Sequence, residues 1–137
     1  MAEGRFGVFP GESVAEARDA LEQAVASAAA ADAWLADHPP TVTWFEGQFE
    51  SGETPADHRL ITTLASAHQA ALGAVPRTRG VPYGSDLRLF TNHAGMPAVL
   101  YGPGDVSLAH AVDEWIALDE VAEAVSVLAL TITAWCC

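Results

Sequence analysis

Lysine is missing altogether from these 137 residues, and six arginines face eighteen acidic side chains, for a net charge of −12. Nucleic acid is repelled by that balance, and so is an anionic membrane surface. No uninterrupted apolar run reaches the roughly 18 residues of a bilayer-spanning helix, so no transmembrane segment is expected. The opening Met-Ala-Glu-Gly-Arg lacks the apolar core of an export signal, which points to a cytoplasmic protein. Cysteine is scarce too. Cys136 and Cys137 are adjacent, a spacing that suits neither a mutual bridge nor a zinc site, so both are expected as reduced thiols.

Half of the residues are hydrophobic, which excludes a disordered chain. The length suits one ordinary domain, or one small domain and part of another, and allows about two-thirds of the unfolded surface to be buried. The pattern predicts an α/β fold. Residues 5–9 read as a short strand stopped by Pro10-Gly11. Ser13 with Glu16 forms a capping box for a helix to about Asp32, with Val14, Ala17, Leu21 and Val25 on one stripe. Pro39 and Pro40 forbid helix, and residues 41–45 (Thr-Val-Thr-Trp-Phe) have strand composition, with a continuation towards Phe49. The first 50 residues thus read strand–helix–strand, a parallel pair that needs a partner for stability.

Residues 51–56 are polar and turn-rich and serve as a linker. Thr54, Pro55 and Asp57 mark the start of a helix with Leu60, Leu64, Ala67 and Ala71 on its apolar face; His68 beside that face reads as a packed core residue. Residues 86–92 read as a further helical run and residues 96–101 as a buried strand. The last helix begins near Leu118, and its recurring Val121, Val125, Leu128, Ile132 and Trp135 are expected to be core.

Two stretches carry candidate chemistry. In residues 100–114 the third strand ends in Gly102-Pro103-Gly104 and opens onto a loop with His110, Asp113 and Glu114, the kind of place where open α/β sheets bind ligands. His110 is the candidate metal ligand, because neutral imidazole is the commonest protein ligand for transition metals; Glu114, four residues on, would be a second ligand or a support. Isolated histidines more often have structural roles, and a catalytic zinc needs three protein ligands where this loop offers one. In the second stretch, Gly84-Ser85-Asp86 precedes a helix start, where N–H groups and the Ser85 hydroxyl suit an anion and Arg77, Arg79 or Arg88 would add charge. The same residues equally make an ordinary helix cap.

Taken together, Gly84-Ser85-Asp86, Gly102-Pro103-Gly104 and Ala109-His-Ala-Val-Asp-Glu114 resemble the C-terminal part of the zinc-dependent M20 metallopeptidases, the group of acetylornithine deacetylase, succinyl-diaminopimelate desuccinylase and carboxypeptidase G2. Pro10-Gly-Glu-Ser13, Asp32-Ala-Trp-Leu, His38-Pro-Pro with Trp44, and Asp57-His58 resemble the same group, so the likeness extends along essentially the whole chain. The resemblance implies a zinc (or cobalt) enzyme that hydrolyses N-acyl amino acids or similar small amides and works as a homodimer. It makes residues 1–50 the second half of a lid and dimerisation domain, and residues 57–137 the closing part of a catalytic domain. His110 then matches the last metal ligand. Ser85 stands where the family usually has Thr, beside the substrate carboxylate with Gly84 and Arg88, while Asp86 and Glu114 support the loops.

The family's other ligands, among them a His-x-Asp motif and a Glu-Glu pair that includes the general base, have no counterpart in this sequence. No residue here fills a catalytic role. The expectation is a C-terminal portion of a deacylase that is inactive alone, with a non-catalytic binding module or one half of a split enzyme as the alternatives.

Overall fold

The computed structural model of the chain describes residues 1–45 and 49–137. Its regular elements are helical: α1 (Val14–Ala30), α2 (Ala33–Asp37), α3 (Arg59–Leu72) and α4 (Leu118–Cys136), with a π-helical turn at Leu89–His93 and a 3-10 turn at Val106–Leu108.

The helix ends follow local chemistry. The Ser13 hydroxyl accepts from the Glu16 N–H at 3.4 Å to start α1. Asp32 ends that run by capping α2, its carboxylate accepting from the Trp34 and Leu35 N–H groups at 2.9 Å each. α3 begins later than Thr54 and Pro55 suggested: His58 is its cap, and the imidazole Nδ1 accepts from the Leu60 N–H at 3.1 Å. α3 stops at Gly73, whose φ of +72° is the left-handed C-cap that glycine adopts without strain.

The α/β expectation is overturned. Among the described residues there is no strand, and residues 5–9, 41–45 and 96–101 carry no ladder. Strand composition becomes a strand only against a neighbour, and none of these stretches finds one. The Trp44 indole N–H instead donates to the Glu22 carboxylate of α1 at 2.7 Å, and the Arg18 guanidinium lies 5.2 Å from its ring, so the second stretch is held on the side of a helix. Residues 96–101 are not buried; Met96, Val99 and Leu100 are exposed. Thr54 braces their middle: its hydroxyl donates to the Ala98 carbonyl at 2.7 Å and accepts from the Ala98 N–H at 2.9 Å. The extension of the second stretch through residues 46–48 lies outside the described residues.

The core sits between α3 and α4, where Leu64, Ala67 and Val127 are buried and Ala71, Leu72 and Tyr101 pack against them. His68 joins this cluster as a core histidine: its Nδ1 lies 2.9 Å from the Tyr101 hydroxyl, and the two rings meet edge to face. The stripe expected to be core on α4 only partly faces α3: Val121 is half-buried and Trp135 lies 5.0 Å from the Arg59 guanidinium of α3. Ala124, Val127 and Thr131 are the buried residues, each one residue or about 100° round the helix from the exposed Val125, Leu128 and Ile132. From Val127 to Cys136 the only hydroxyl or charged side chains of α4 are Thr131 and Thr133, so spacing alone does not say which side α3 will take. The Thr131 hydroxyl tolerates burial because it donates to the Val127 carbonyl at 2.8 Å.

The accessible surface is 10533 Å² for a 14.4 kDa chain. A folded monomer of that mass exposes about 6,800 Å². Much of the excess is apolar and is spread along the chain, from Phe6 and Phe9 to Leu118 and Ile132.

Candidate functional site

The loop that carries His110 is fixed at both ends by carboxylates. Gly104, at φ +90°, turns the chain, and its N–H donates to the Glu120 carboxylate in the first turn of α4 at 2.8 Å. Asp105 caps the 3-10 turn by accepting from the Ser107 N–H at 2.9 Å. Those bonds to Ser107, with the charge of Arg79 nearby, hold the Asp105 carboxyl below the usual carboxylate range.

Two successive turns follow, closed by Ala111 N–H to Leu108 C=O at 3.0 Å and Glu114 N–H to Ala111 C=O at 3.3 Å. Between them His110 takes φ +64°, the one positive φ outside glycine among the described residues. An L side chain there costs about 1–2 kcal/mol, and such strain collects at functional sites. The His110 N–H donates to the Glu114 carboxylate at 3.1 Å, which secures the strained turn. Glu114 therefore contacts the backbone of His110 and not its ring. The imidazole is exposed and has no hydrogen-bond partner among the described residues.

The second stretch is built on Phe49. A Cβ at Gly84 would overlap the Phe49 ring, so glycine is required for that approach. The Arg88 guanidinium lies 5.1 Å over the same ring, and its Nε is buried without a hydrogen-bond partner. The half-buried Ser85 hydroxyl accepts from the Leu87 N–H at 3.3 Å, and the Asp86 carbonyl accepts from the Leu89 N–H at 2.9 Å, while the Asp86 side chain is exposed. The helical run expected at 86–92 becomes the π-helical turn, a form that recurs at functional sites. Gly52 packs onto this turn with no room for a Cβ, which would meet Thr91, the Arg88 backbone and Leu87 at 2.8–2.9 Å. Glu50 and Asn92 close the contact: Asn92 donates to the Ser51 carbonyl at 2.9 Å, and His93 lies 3.2 Å from the Glu50 carboxylate.

The candidate residues thus fall in two clusters. In one, Gly84 and Arg88 pack on Phe49 with Ser85 on the turn between them; in the other, His110 lies on the loop that the Gly104–Glu120 bond ties to the start of α4. No hydrogen bond or ion pair joins Ser85 or Arg88 to His110. Among the described residues no group of three or more His, Cys, Asp and Glu side chains is arranged to hold a metal ion. An open imidazole on a strained, clamped loop fits one ligand of a metal centre, and these residues do not enclose an ion by themselves. The roles of Phe49 as a platform and Thr54 as a brace were not readable from the sequence, because both depend on residues 35 or more positions away.

Residues 4–134 match the family model described as peptidase family M20/M25/M40, and the chain belongs to that family. Two curated relatives are N-formyl-4-amino-5-aminomethyl-2-methylpyrimidine deformylases. The Bacillus subtilis (strain 168) protein is 26% identical over 139 residues, and that of Halalkalibacterium halodurans is 26% identical over 136; each match covers 93% of this chain and 32% of the relative. The chain therefore spans about a third of the length of the curated relatives it matches. No solved structure gives a significant match.

Proposed function

We propose that this chain is the C-terminal part of a metal-dependent amidohydrolase that removes a small acyl group, formyl before acetyl, from a nitrogen of a small molecule. The observation that carries the reading is His110: a solvent-facing imidazole held at φ +64° by Glu114, within a chain of the M20/M25/M40 family. The preference for formyl rests on the names of the two relatives and replaces the acetylornithine type suggested by the sequence motifs.

In this reading His110 is one metal ligand and Glu114 its support. Ser85, with Gly84 and Arg88, binds the polar end of the substrate, and Asp86 steadies that loop. Bound zinc, with cobalt as the alternative, supplies Lewis acidity and an activated water. The other ligands and the general base come from outside this chain, so the chain alone is inactive. Residues 1–50 contribute to a lid and dimer interface, 51–56 connect, and 57–137 complete the catalytic unit. A second reading, a non-catalytic binding module, draws its support from the single metal donor.

The test is amide hydrolysis by the assembly that contains this chain, purified from the cells that make it and supplied with zinc. Release of formate from an N-formyl aminopyrimidine is expected, with kcat falling at least about a hundredfold in His110→Ala. Ser85→Ala is expected to raise KM with a smaller effect on kcat. Hydrolysis that His110→Ala leaves intact, or no hydrolysis of any formyl or acetyl amide, contradicts the proposal.

A further inference from the structure

Eighteen acidic side chains outnumber the six arginines, yet Arg88 sits on an aromatic ring and forms no ion pair among the described residues. Its guanidinium carbon lies 5.1 Å from the centroid of the Phe49 ring, and its buried Nε meets no acceptor. Arg18 and Arg59 also lie over rings, Trp44 at 5.2 Å and Trp135 at 5.0 Å. The Phe49 ring differs from those two because Gly84, in the turn that carries Ser85, packs on it as well, so closely that a Cβ there would overlap it. The backbone is tied to the same segment. Asn92 donates to the Ser51 carbonyl at 2.9 Å, Gly52 lies against the Arg88 backbone, and Thr54 bonds twice to Ala98. The stretch expected as a linker thus holds ring and guanidinium on one frame.

We infer that Phe49 is a positioning residue: it aims the Arg88 guanidinium at the polar end of the substrate and leaves its charge uncancelled. The inference rests on the substrate-binding role given above to Gly84, Ser85 and Arg88, and adds what orients that arginine. An aromatic face attracts a guanidinium through the ring quadrupole, but it carries no net charge and offers no lone pair. A carboxylate in the same place would occupy two N–H groups in a bidentate pair and neutralise the cation. On the ring, the terminal N–H groups of Arg88 stay available to a ligand. The Gly84 contact fixes the ring relative to Ser85, so the hydroxyl and the guanidinium keep one spacing. Displacing the ring would move both.

The test replaces Phe49 by phenylalanines carrying one, two and three ring fluorines, in the assembly purified from the cells that make it. Fluorine drains density from the ring face with little change of shape, so packing is kept while the attraction falls stepwise. KM for an N-formyl aminopyrimidine is expected to climb with each fluorine, by at least about threefold at three, with kcat held within about twofold. The same series at the exposed Phe6 should move neither constant. Phe49→Leu should raise KM at least as far, and Phe49→Trp, which restores a ring face, should recover most of the loss. In the 137-residue chain, the Arg88 Nε–H proton should resonate upfield under the ring current and lose that shift in Phe49→Leu. A KM flat across the fluorine series, or an Arg88 resonance with no upfield shift, overturns the inference. A flat KM beside His110-dependent hydrolysis leaves the catalytic reading standing. Absence of His110-dependent hydrolysis beside a shifted Arg88 resonance overturns the catalytic reading and leaves Phe49 as a packing residue.

Discussion

The α3–α4 pair and the segment from Gly84 to Glu114 are held together by different means. The helix pair rests on apolar contact: Leu64 and Ala67 meet Val127, and little else in the chain is fully buried. The segment rests on polar clamps with almost no core: Glu120 on Gly104, Asp105 on Ser107, Glu114 on His110, the Ser85 hydroxyl on Leu87 and Thr54 on Ala98. The candidate ligands lie in the region fixed by hydrogen bonds. Backbone clamps set the direction of a side chain without covering it, which is what a loop that presents an imidazole requires. Apolar packing then has a single task, to anchor the helix at which that loop ends.

The sharpest way to break this contrast is in the helix pair. Leu64→Ala removes buried methyl groups from a core with few other members and should cost about 2–4 kcal/mol, read as a lowered urea midpoint. Thr54→Val keeps the shape but strips both bonds to Ala98, and should cost about 1–2 kcal/mol with faster hydrogen exchange at the Ala98 amide. His110→Gly works in the opposite direction. It relieves the positive φ and should stabilise the chain by about 1 kcal/mol, so a gain in stability at the residue proposed to bind metal would mark strain kept for function.

The smallest effect concerns Tyr101. Burial, and then the Glu123 carboxylate, raise its phenol above the ordinary tyrosine value. A raised phenol favours the protonated folded state, so this contribution is fully present below the unfolded tyrosine pKa and is lost as pH climbs through the folded one. Tyr101→Phe should therefore flatten the alkaline fall in stability above about pH 10 without changing the acid side.

The same division explains what could be read in the sequence. Ser13 and Gly73 act on residues within four positions, and the start of α1 and the end of α3 were legible almost to the residue, whereas the short helix capped by Asp32, the turn capped by Asp105 and the later start of α3 at His58 were not. The strands were not, because Thr41 to Phe45 and Met96 to Tyr101 have the composition but lack a neighbour to pair with. Nor was the facing of α4, where spacing leaves the choice to the partner. At the candidate site, His110 was legible as an isolated histidine after a glycine turn. Its positive φ and its clamp by Glu114 were not, since neither leaves a mark in spacing. Ser85 as a turn-forming hydroxyl was anticipated, whereas Phe49 beneath Gly84 and Arg88 was not.

The central claim is that this chain brings one metal ligand to a centre completed elsewhere. Competition titration of the purified 137-residue chain against a chelator of known zinc affinity tests it most directly, run beside His110→Ala. Neither form is expected to bind zinc tightly and stoichiometrically. One zinc ion bound tightly per wild-type chain and released by His110→Ala would show a complete site within these residues and would contradict it.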